Sequence, residues 1–279
     1  MRPTAANDTV VPEASAVAGF TEERFPGFGG SARVVVVSDD RRRLITHARQ
    51  RLATLERAWT RFRDVSSGLV ASYPAAVVVS PDVLRLVRRA VEAWRRTSGV
   101  FDPTIRASWT GAATIAVGDG TAVPLAPPTA PGCSGITVDT VRSLVGLPRG
   151  VTIDPDSLGR GLAADVISAE LITEGAQGAL VDVGGIVRTR GHGPAPDGWL
   201  VGEPQCSSRG DKISSVRPGA AVATGTLGNP HHCADLATVT VTASEAWWAE
   251  VLVKSIMMTD SVTGLDLGGA AVTVWRSAT

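Results

Sequence analysis

The amino-acid sequence predicts an α+β fold in one large domain. Segments typical of strands and of helices alternate irregularly, and several strand-like segments follow one another directly, unlike the pattern of a doubly wound parallel sheet. The chain has 279 residues, of which 44% are hydrophobic and 19% are charged, and its formal net charge is zero. These values exclude a disordered chain and a nucleic-acid binder that works by bulk charge, and they leave ample apolar surface for a core.

The first predicted strand follows a segment without periodicity. Residues 1–24 show neither helical nor strand spacing, so we expect a mobile leader there and assign residues 25–279 to the domain. A glycine turn and a β-branched run predict a strand at Ala32–Val37. Hydrophobic residues at three- and four-residue spacing predict a helix over about Asp40–Phe62. Its buried stripe consists of Leu44, Ile45, Ala48, Leu52, Leu55 and Trp59.

A short strand and a second helix come next. The strand is predicted at Ala75–Val79, and Ser80-Pro81-Asp82 supplies the capping hydroxyl and early proline of a helix start. This helix is expected to end near Ser98-Gly99. Its predicted buried stripe is Leu84, Val87, Val91 and Trp94. The segment 111–131, rich in Gly, Ala, Thr and Pro, is interpreted as an irregular excursion or a hairpin.

Two more helices are predicted among the remaining strands. One covers about Leu162–Glu174 and stops at Gly175, and the other covers about Ala243–Met258. Thr242 precedes Glu245 by three residues, which is the spacing of a capping box. The strands are predicted at Gly150–Ile153, Ala179–Val183, Trp199–Val201, Ala221–Ala223, Ala237–Thr242 and Ala271–Trp275.

The sequence also limits the compartment and the partners. No run of about 18 apolar residues is present, and the first 20 residues lack the charged and apolar regions of a secretory signal. Cys133, Cys206 and Cys233 are too widely spaced for a disulfide framework or a zinc site. We therefore expect a cytoplasmic protein with neither a membrane nor a nucleic acid as partner.

The segment Asp154–Asp165 joins a strand to a helix and is the first candidate site. Gly159 and Gly161 allow close approach of a backbone to a ligand, and the free N–H groups of a helix start suit a phosphate. Arg160 adds a charged donor. The alternative is an ordinary turn whose glycines only set backbone angles. The segment matches neither the P-loop nor the dinucleotide-binding fingerprint.

Several further motifs occur in register with this turn. They are WTRFR at 59–63, SPD at 80–82, TSGVFDPT at 97–104, ALVDVGGIVRTRG at 179–191, WLVG at 199–202, AVAT at 221–224 and the segment 240–258. Together with the turn, they resemble the ApbE family, the FAD:protein FMN transferases, from about residue 25 to the end. The resemblance implies a fold related to the T-fold, with two lobes and a flavin cleft between them.

The resemblance also implies the reaction and its residues. Members transfer FMN from FAD to a Thr or Ser hydroxyl of a target protein and release AMP, so the implied partners are FAD and an acceptor flavoprotein. The candidate cofactor-binding residues are Phe101, Asp102, Ser157, Leu158, Gly159, Arg160, Gly161, Asp165, Gly184, Gly185 and Thr224. The candidates for proton transfer are His231 and His232, with Asp235 as an orienting group.

This chain departs from the family where the chemistry is expected. The positions that correspond to the family's magnesium ligands are Gly159, Glu250 and Lys254, and a protonated lysine has no lone pair for a metal. Ile186 replaces a carboxylate, and the loop around His231 and His232 is shortened. A degenerate flavin-binding protein without transferase activity, or the same fold recruited for another reaction in a specialised pathway, are therefore alternatives to the transferase.

Lys254 is the most specific departure. Only Lys212 and Lys254 among the 27 basic residues are lysines. Glu250 and Lys254 lie one helical turn apart on a helix that is otherwise apolar, which indicates that the pair faces inwards. We expect Lys254 to act as a built-in cation in place of Mg²⁺, held by Glu250 and the Gly159 carbonyl. The alternative is that its side chain extends to solvent.

Overall fold

A computed structural model of the chain describes residues 19–71, 73–106, 114–116, 122–124, 131–194, 198–203, 212–216, 219–227 and 237–276. The helices are α1 Arg41–Val70, α2 Pro81–Arg96, α3 Gly159–Thr173 and α4 Ala246–Thr259, and a 3-10 turn covers Pro155–Ser157. The strands are β1 Phe20–Gly27, β2 Gly30–Val37, β3 Ala75–Val78, β4 Thr104–Arg106, β5 Thr114–Ala116, β6 Ala122–Pro124, β7 Thr137–Asp139, β8 Leu144–Leu147, β9 Val151–Ile153, β10 Gly178–Val183, β11 Ile186–Gly191, β12 Trp199–Glu203, β13 Lys212–Val216, β14 Ala221–Leu227, β15 Ala237–Ala243 and β16 Ala271–Arg276.

A seven-stranded antiparallel sheet organises the chain, in the order β1-β2-β10-β11-β14-β15-β16. Helices α1, α3 and α4 pack against it, and α2 packs against α1 and α4. A smaller sheet has the order β3-β8-β7, and β5 pairs with β6 as the hairpin that the composition of 111–131 allows. The irregular mixture of helices and antiparallel strands confirms the α+β prediction.

The central strands of the large sheet, β2, β10 and β11, are buried on both faces. In β2, Val34 and Val36 join the main core with the helices, whereas Val35 and Val37 join a smaller core on the other face, because side chains alternate along a strand. Trp199 of β12 is part of this smaller core, and its indole N–H donates to the carbonyl of Gly191 at 3.1 Å.

The helix predictions hold, with changes at their ends. The whole predicted stripe of α1 is buried, and the helix continues beyond Phe62 to Val70. Ser80 caps α2 as expected, accepting from the N–H of Val83. In α2, Val87 and Val91 are buried, but Leu84 and Trp94 are only partly buried.

Two predictions at segment ends are wrong. Strand β1 begins at Phe20, inside the expected leader, because residues 20–27 pair along their whole length with β2. The capping box at α4 does not form: Thr242 belongs to β15, and Glu245 gives no side-chain cap but pairs with Arg89 at 2.8 Å. Within the described part of the chain, no helix is both long and apolar enough to cross a bilayer.

Helices α3 and α4 approach each other very closely at Gly161. A Cβ atom at this position would overlap the backbone carbonyl of Ala246, at the first turn of α4. A glycine at this crossing is therefore a packing requirement, and the contact brings the first turns of two helices together.

We expect Gly161→Ala to destabilise the fold by about 1–3 kcal/mol or more, because backbone cannot move aside as a flexible side chain can. The matched control is Gly68→Ala on α1, where a Cβ meets open space. That change should stabilise by up to about 1 kcal/mol, because alanine favours a helix interior. Urea unfolding followed by circular dichroism measures both, and equal unfolding free energies for the two variants would contradict the packing argument.

Candidate functional site

The candidate site is built around Glu250, which α4 places against the start of α3. The surrounding helix is apolar, and the residue is only 1% exposed. An ionised carboxylate in such a place needs both hydrogen bonds and opposite charge, because burial removes its hydration. The inward direction that the apolar surroundings predicted for Glu250 is confirmed.

Three donors compensate the Glu250 carboxylate. The backbone N–H of Gly161 donates to Oε2 at 2.8 Å. Lys254 Nζ donates to Oε1 at 2.9 Å, and Arg160 Nε donates to the same oxygen at 3.3 Å. A side chain of α4 thus satisfies an N–H in the first turn of α3, and two cations share one carboxylate oxygen.

Lys254 also binds the 3-10 turn before α3. Its ammonium donates to the carbonyl oxygens of Asp156 at 2.9 Å and Ser157 at 2.5 Å. With the bond to Glu250, three oxygen partners match the three donors of an ammonium group. The expected carbonyl partner, Gly159, is not the one used, because Gly159 opens α3 and its carbonyl belongs to the hydrogen-bond ladder of that helix.

A cavity of about 290 Å³ lies beside the ammonium group. It is lined by Phe101, Asp102, Ser157, Lys254, Met257 and Met258. The structure thus brings together residues that sequence analysis took from three distant segments. Sequence analysis missed the two methionines, although their spacing from Lys254 along α4 places them on the same helical face.

Phe101 and Asp102 are held firmly at one wall of this cavity. Phe101 is buried, and its N–H donates to Thr97 Oγ1 at 3.0 Å. Asp102 Oδ1 accepts from the N–H of Thr104 at 2.9 Å and from its hydroxyl at 2.6 Å. Asp102 therefore shapes the turn after α2 as well as lining the cavity.

Arg160 extends from α3 across the turn between β10 and β11. Gly184 and Gly185 have φ of 60° and 86° there, in the left-handed region. A Cβ at Gly184 would come within 3.1 Å of Arg160 Cδ, so the glycine leaves room for the arginine chain. The N–H of Gly185 donates to Asp182 Oδ1 at 2.8 Å, which stabilises the turn.

The other predicted binding residues surround this arrangement. Leu158 is fully buried, and Gly159 lies against the rings of Trp59 and Phe28. Thr224 is on β14 with its hydroxyl 3.5 Å from that of Thr240, and the adjacent Gly225 packs on Met257. His231, His232 and Asp235 lie outside the described residues.

Asp165 has a different environment from the rest of the predicted set. Its Oδ2 accepts from the backbone N–H of Trp247 at 3.0 Å, so it caps the start of α4 from the middle of α3. Its Oδ1 lies 3.2 Å from Arg188 Nε. Burial raises the pKa of this carboxyl to about 6, against the lowering effect of the backbone bonds and of Arg188. It lines a separate cavity of about 380 Å³ with Arg85, Arg88 and Arg89.

These residues do not fit a divalent metal ion. Both oxygens of Glu250 have donors, and the carbonyls that could join it as ligands accept from Lys254. The described residues contain no group of three or more His, Cys, Asp or Glu side chains that could hold a metal. A metal would also lie beside two positive side chains.

The comparisons with known proteins identify the class. The sequence profile of the ApbE family matches residues 28–229. The chain therefore belongs to the ApbE family, which confirms the resemblance found in its motifs. No curated protein matches the sequence at a significant level.

Solved structures show the same fold. The flavinyl transferase ApbE from Pseudomonas stutzeri in its apo form has a TM-score of 0.68 and 19% identity, covering 92% of this chain and 91% of that one. The flavin transferase ApbE from Vibrio cholerae has a TM-score of 0.65 and 18% identity, covering 91% and 93%. The ApbE protein from Thermotoga maritima has a TM-score of 0.67 and 18% identity, covering 93% and 97%.

The raised pKa of Asp165 makes stability depend on pH. Its carboxyl has a pKa of about 6 in the folded chain and an ordinary value of 3.8, so the folded state binds more protons between these values. The stability that this group contributes is therefore greatest at low pH and is lost as the pH rises through about 6. Relative to Asp165→Asn, the unfolding free energy of the wild type should fall by roughly 1 kcal/mol from about pH 5 to about pH 7.

Urea unfolding at the two pH values measures this difference. Asp139→Asn is the control: hydrogen bonds from the Arg142 backbone and side chain lower the pKa of this exposed carboxyl, so its contribution is constant over the same range. If Asp165→Asn and the wild type show the same pH dependence, the carboxyl does not titrate in this window.

Proposed function

We propose that this protein binds FAD and transfers its FMN part to a Thr or Ser hydroxyl of an acceptor flavoprotein, with release of AMP. One observation carries the proposal: in a member of the ApbE family, Phe101 and Asp102 meet Ser157 and Lys254 at one cavity, beside Arg160. Three separate segments of the chain thus line one cavity, which is bordered by the Lys254 ammonium and the Asp102 carboxylate.

Phosphoryl transfer requires positioning and positive charge more than covalent help from the enzyme. The acceptor hydroxyl oxygen forms a bond to the phosphorus of the FMN part, and the bond from that phosphorus to the bridging oxygen breaks. AMP leaves with the bridging oxygen, and the hydroxyl proton goes to a base. We propose His231 or His232 as that base, oriented by Asp235.

Arg160 is the proposed direct contact to the diphosphate. Only its Nε is engaged with Glu250, and a guanidinium has five N–H donors, so its remaining N–H groups can bind phosphate oxygens. Glu250 and the Gly184–Gly185 turn hold the arginine from two sides. Lys254 adds fixed charge at the edge of the cavity.

A second candidate function is flavin binding without transfer. The observation that favours it is Ile186, a buried apolar side chain next to the Gly184–Gly185 turn, where the family resemblance implies a carboxylate. Recruitment of the fold for another reaction is the third possibility.

We expect the purified protein, mixed with FAD, Mg²⁺ and a peptide that carries a Thr acceptor, to form a flavin adduct and AMP in equal amounts. Mass spectrometry detects the adduct and chromatography detects AMP. Replacement of both His231 and His232 by Ala should abolish the adduct and leave FAD binding unchanged. Flavin retained without AMP favours the second candidate, and absence of flavin binding refutes both.

Arg160→Ala should weaken FAD binding by about ten- to a hundredfold, because a charge-assisted bond to phosphate is lost. The matched control is Arg142→Ala, since Arg142 is exposed and pairs with Asp139 away from the cavity. Fluorescence titration measures the affinities, and thermal unfolding verifies that both variants fold. Equal affinity for Arg160→Ala and the wild type would remove Arg160 from the site.

A further inference from the structure

We infer that the ammonium group of Lys254 occupies the position of a divalent cation, so that FAD binds to this protein without metal. The inference rests on the proposed function, because it takes FAD as the ligand. It assigns Lys254 as a permanent, covalently attached counter-charge for the diphosphate, and it makes the site indifferent to chelators.

Oxygen atoms of the kind that bind a metal ion surround Lys254 Nζ. One carboxylate oxygen of Glu250 and the carbonyls of Asp156 and Ser157 surround it at 2.5–2.9 Å. Carboxylate and carbonyl oxygens are also the protein ligands that Mg²⁺ uses. A metal ion at this place would compete with the ammonium for the same atoms.

Two positive side chains, Lys254 and Arg160, already contact Oε1 of Glu250. Further negative charge lies nearby, because Asp102 lines the cavity and Asp154 and Asp156 belong to the segment that Lys254 contacts. A divalent ion at Oε1 would nevertheless be repelled by two cations that contact the same oxygen.

The ammonium group of Lys254 is both fixed and accessible. Its three hydrogen-bond partners come from α4 and from the turn before α3, so it cannot swing away without breaking them. Its side chain is nevertheless 28% exposed and borders the cavity with Phe101 and Ser157. A phosphate in the cavity would therefore feel its charge, while Arg160 supplies the direct hydrogen bonds.

The main experiment titrates the wild-type protein with FAD, once in EDTA and once in Mg²⁺, and follows flavin fluorescence. We expect the two dissociation constants to agree within about twofold, because the counter-charge is part of the chain. Calorimetric titration of Mg²⁺ into the FAD-loaded protein should give no binding heat. Loss of FAD binding in EDTA with recovery in Mg²⁺, or stoichiometric Mg²⁺ binding, would overturn the inference.

Variants test whether Lys254 itself contributes to FAD binding. Lys254→Met keeps the chain length and removes the charge, and it should weaken FAD binding in EDTA by about tenfold or more. Arg142→Met, a charge removal at an exposed ion pair, should leave the affinity unchanged. The double change Glu250→Asp with Lys254→Thr restores oxygen ligands and should make FAD binding respond to Mg²⁺. Thermal unfolding verifies that each variant folds.

The outcomes separate this inference from the proposed function. An unchanged affinity of a folded Lys254→Met in EDTA, or a folded double variant indifferent to Mg²⁺, contradicts the role of Lys254 alone. Failure of the wild type to bind FAD with and without Mg²⁺ contradicts the proposed function and this inference together.

Discussion

The buried carboxylate of Glu250 is the constraint on which the rest of the site depends. A desolvated negative charge is tolerated only where hydrogen bonds and positive charge surround it. Its partners come from the first turn of α3, from Arg160 and from Lys254, and Lys254 in turn binds the 3-10 turn. Compensating one charge therefore positions two helices, a turn and both cations.

Asp165 shows how differently a second carboxylate between the same two helices can be used. Glu250 takes part of its compensation from side chains at a cavity, whereas Asp165 caps the backbone of α4 and faces the buried Arg188. Glu250 orients Lys254 and Arg160 at the candidate site, whereas Asp165 secures the start of α4, the helix that carries Lys254. The close contact between α3 and α4 at Gly161 lies between the contacts that Glu250 and Asp165 make.

Sequence reasoning succeeded where a local pattern determines the outcome. The stripe of α1, the cap at Ser80 and the inward direction of Glu250 all follow from spacing along a single helix. The family motifs predicted segments that the structure brings to one cavity, and the structure adds their contacts. The resemblance also marked Lys254 as the unusual position.

The predictions that were wrong or absent have a common cause: contacts with residues distant in the sequence determined the local structure. Strand β1 was missed because its residues alternate weakly and are held by pairing with β2. Glu245 was expected to cap α4, but Arg89 takes its carboxylate, and Asp165 performs the capping from another helix. The carbonyl partners of Lys254 depend on a 3-10 turn, which the sequence does not predict.

The topology of the large sheet has a consequence for the order in which the chain folds. Strand β2 has β10 as an inner neighbour, so Val36 pairs with Ala179, which is far from it in the sequence. Such long-range pairing is slow to form because a large loop must close first. The cavity forms later still, because it is complete only when α4 places Lys254 next to Phe101 and Ser157. Because α4 follows almost all strands of the sheet in the sequence, the candidate site is completed only when most of the chain has been synthesised.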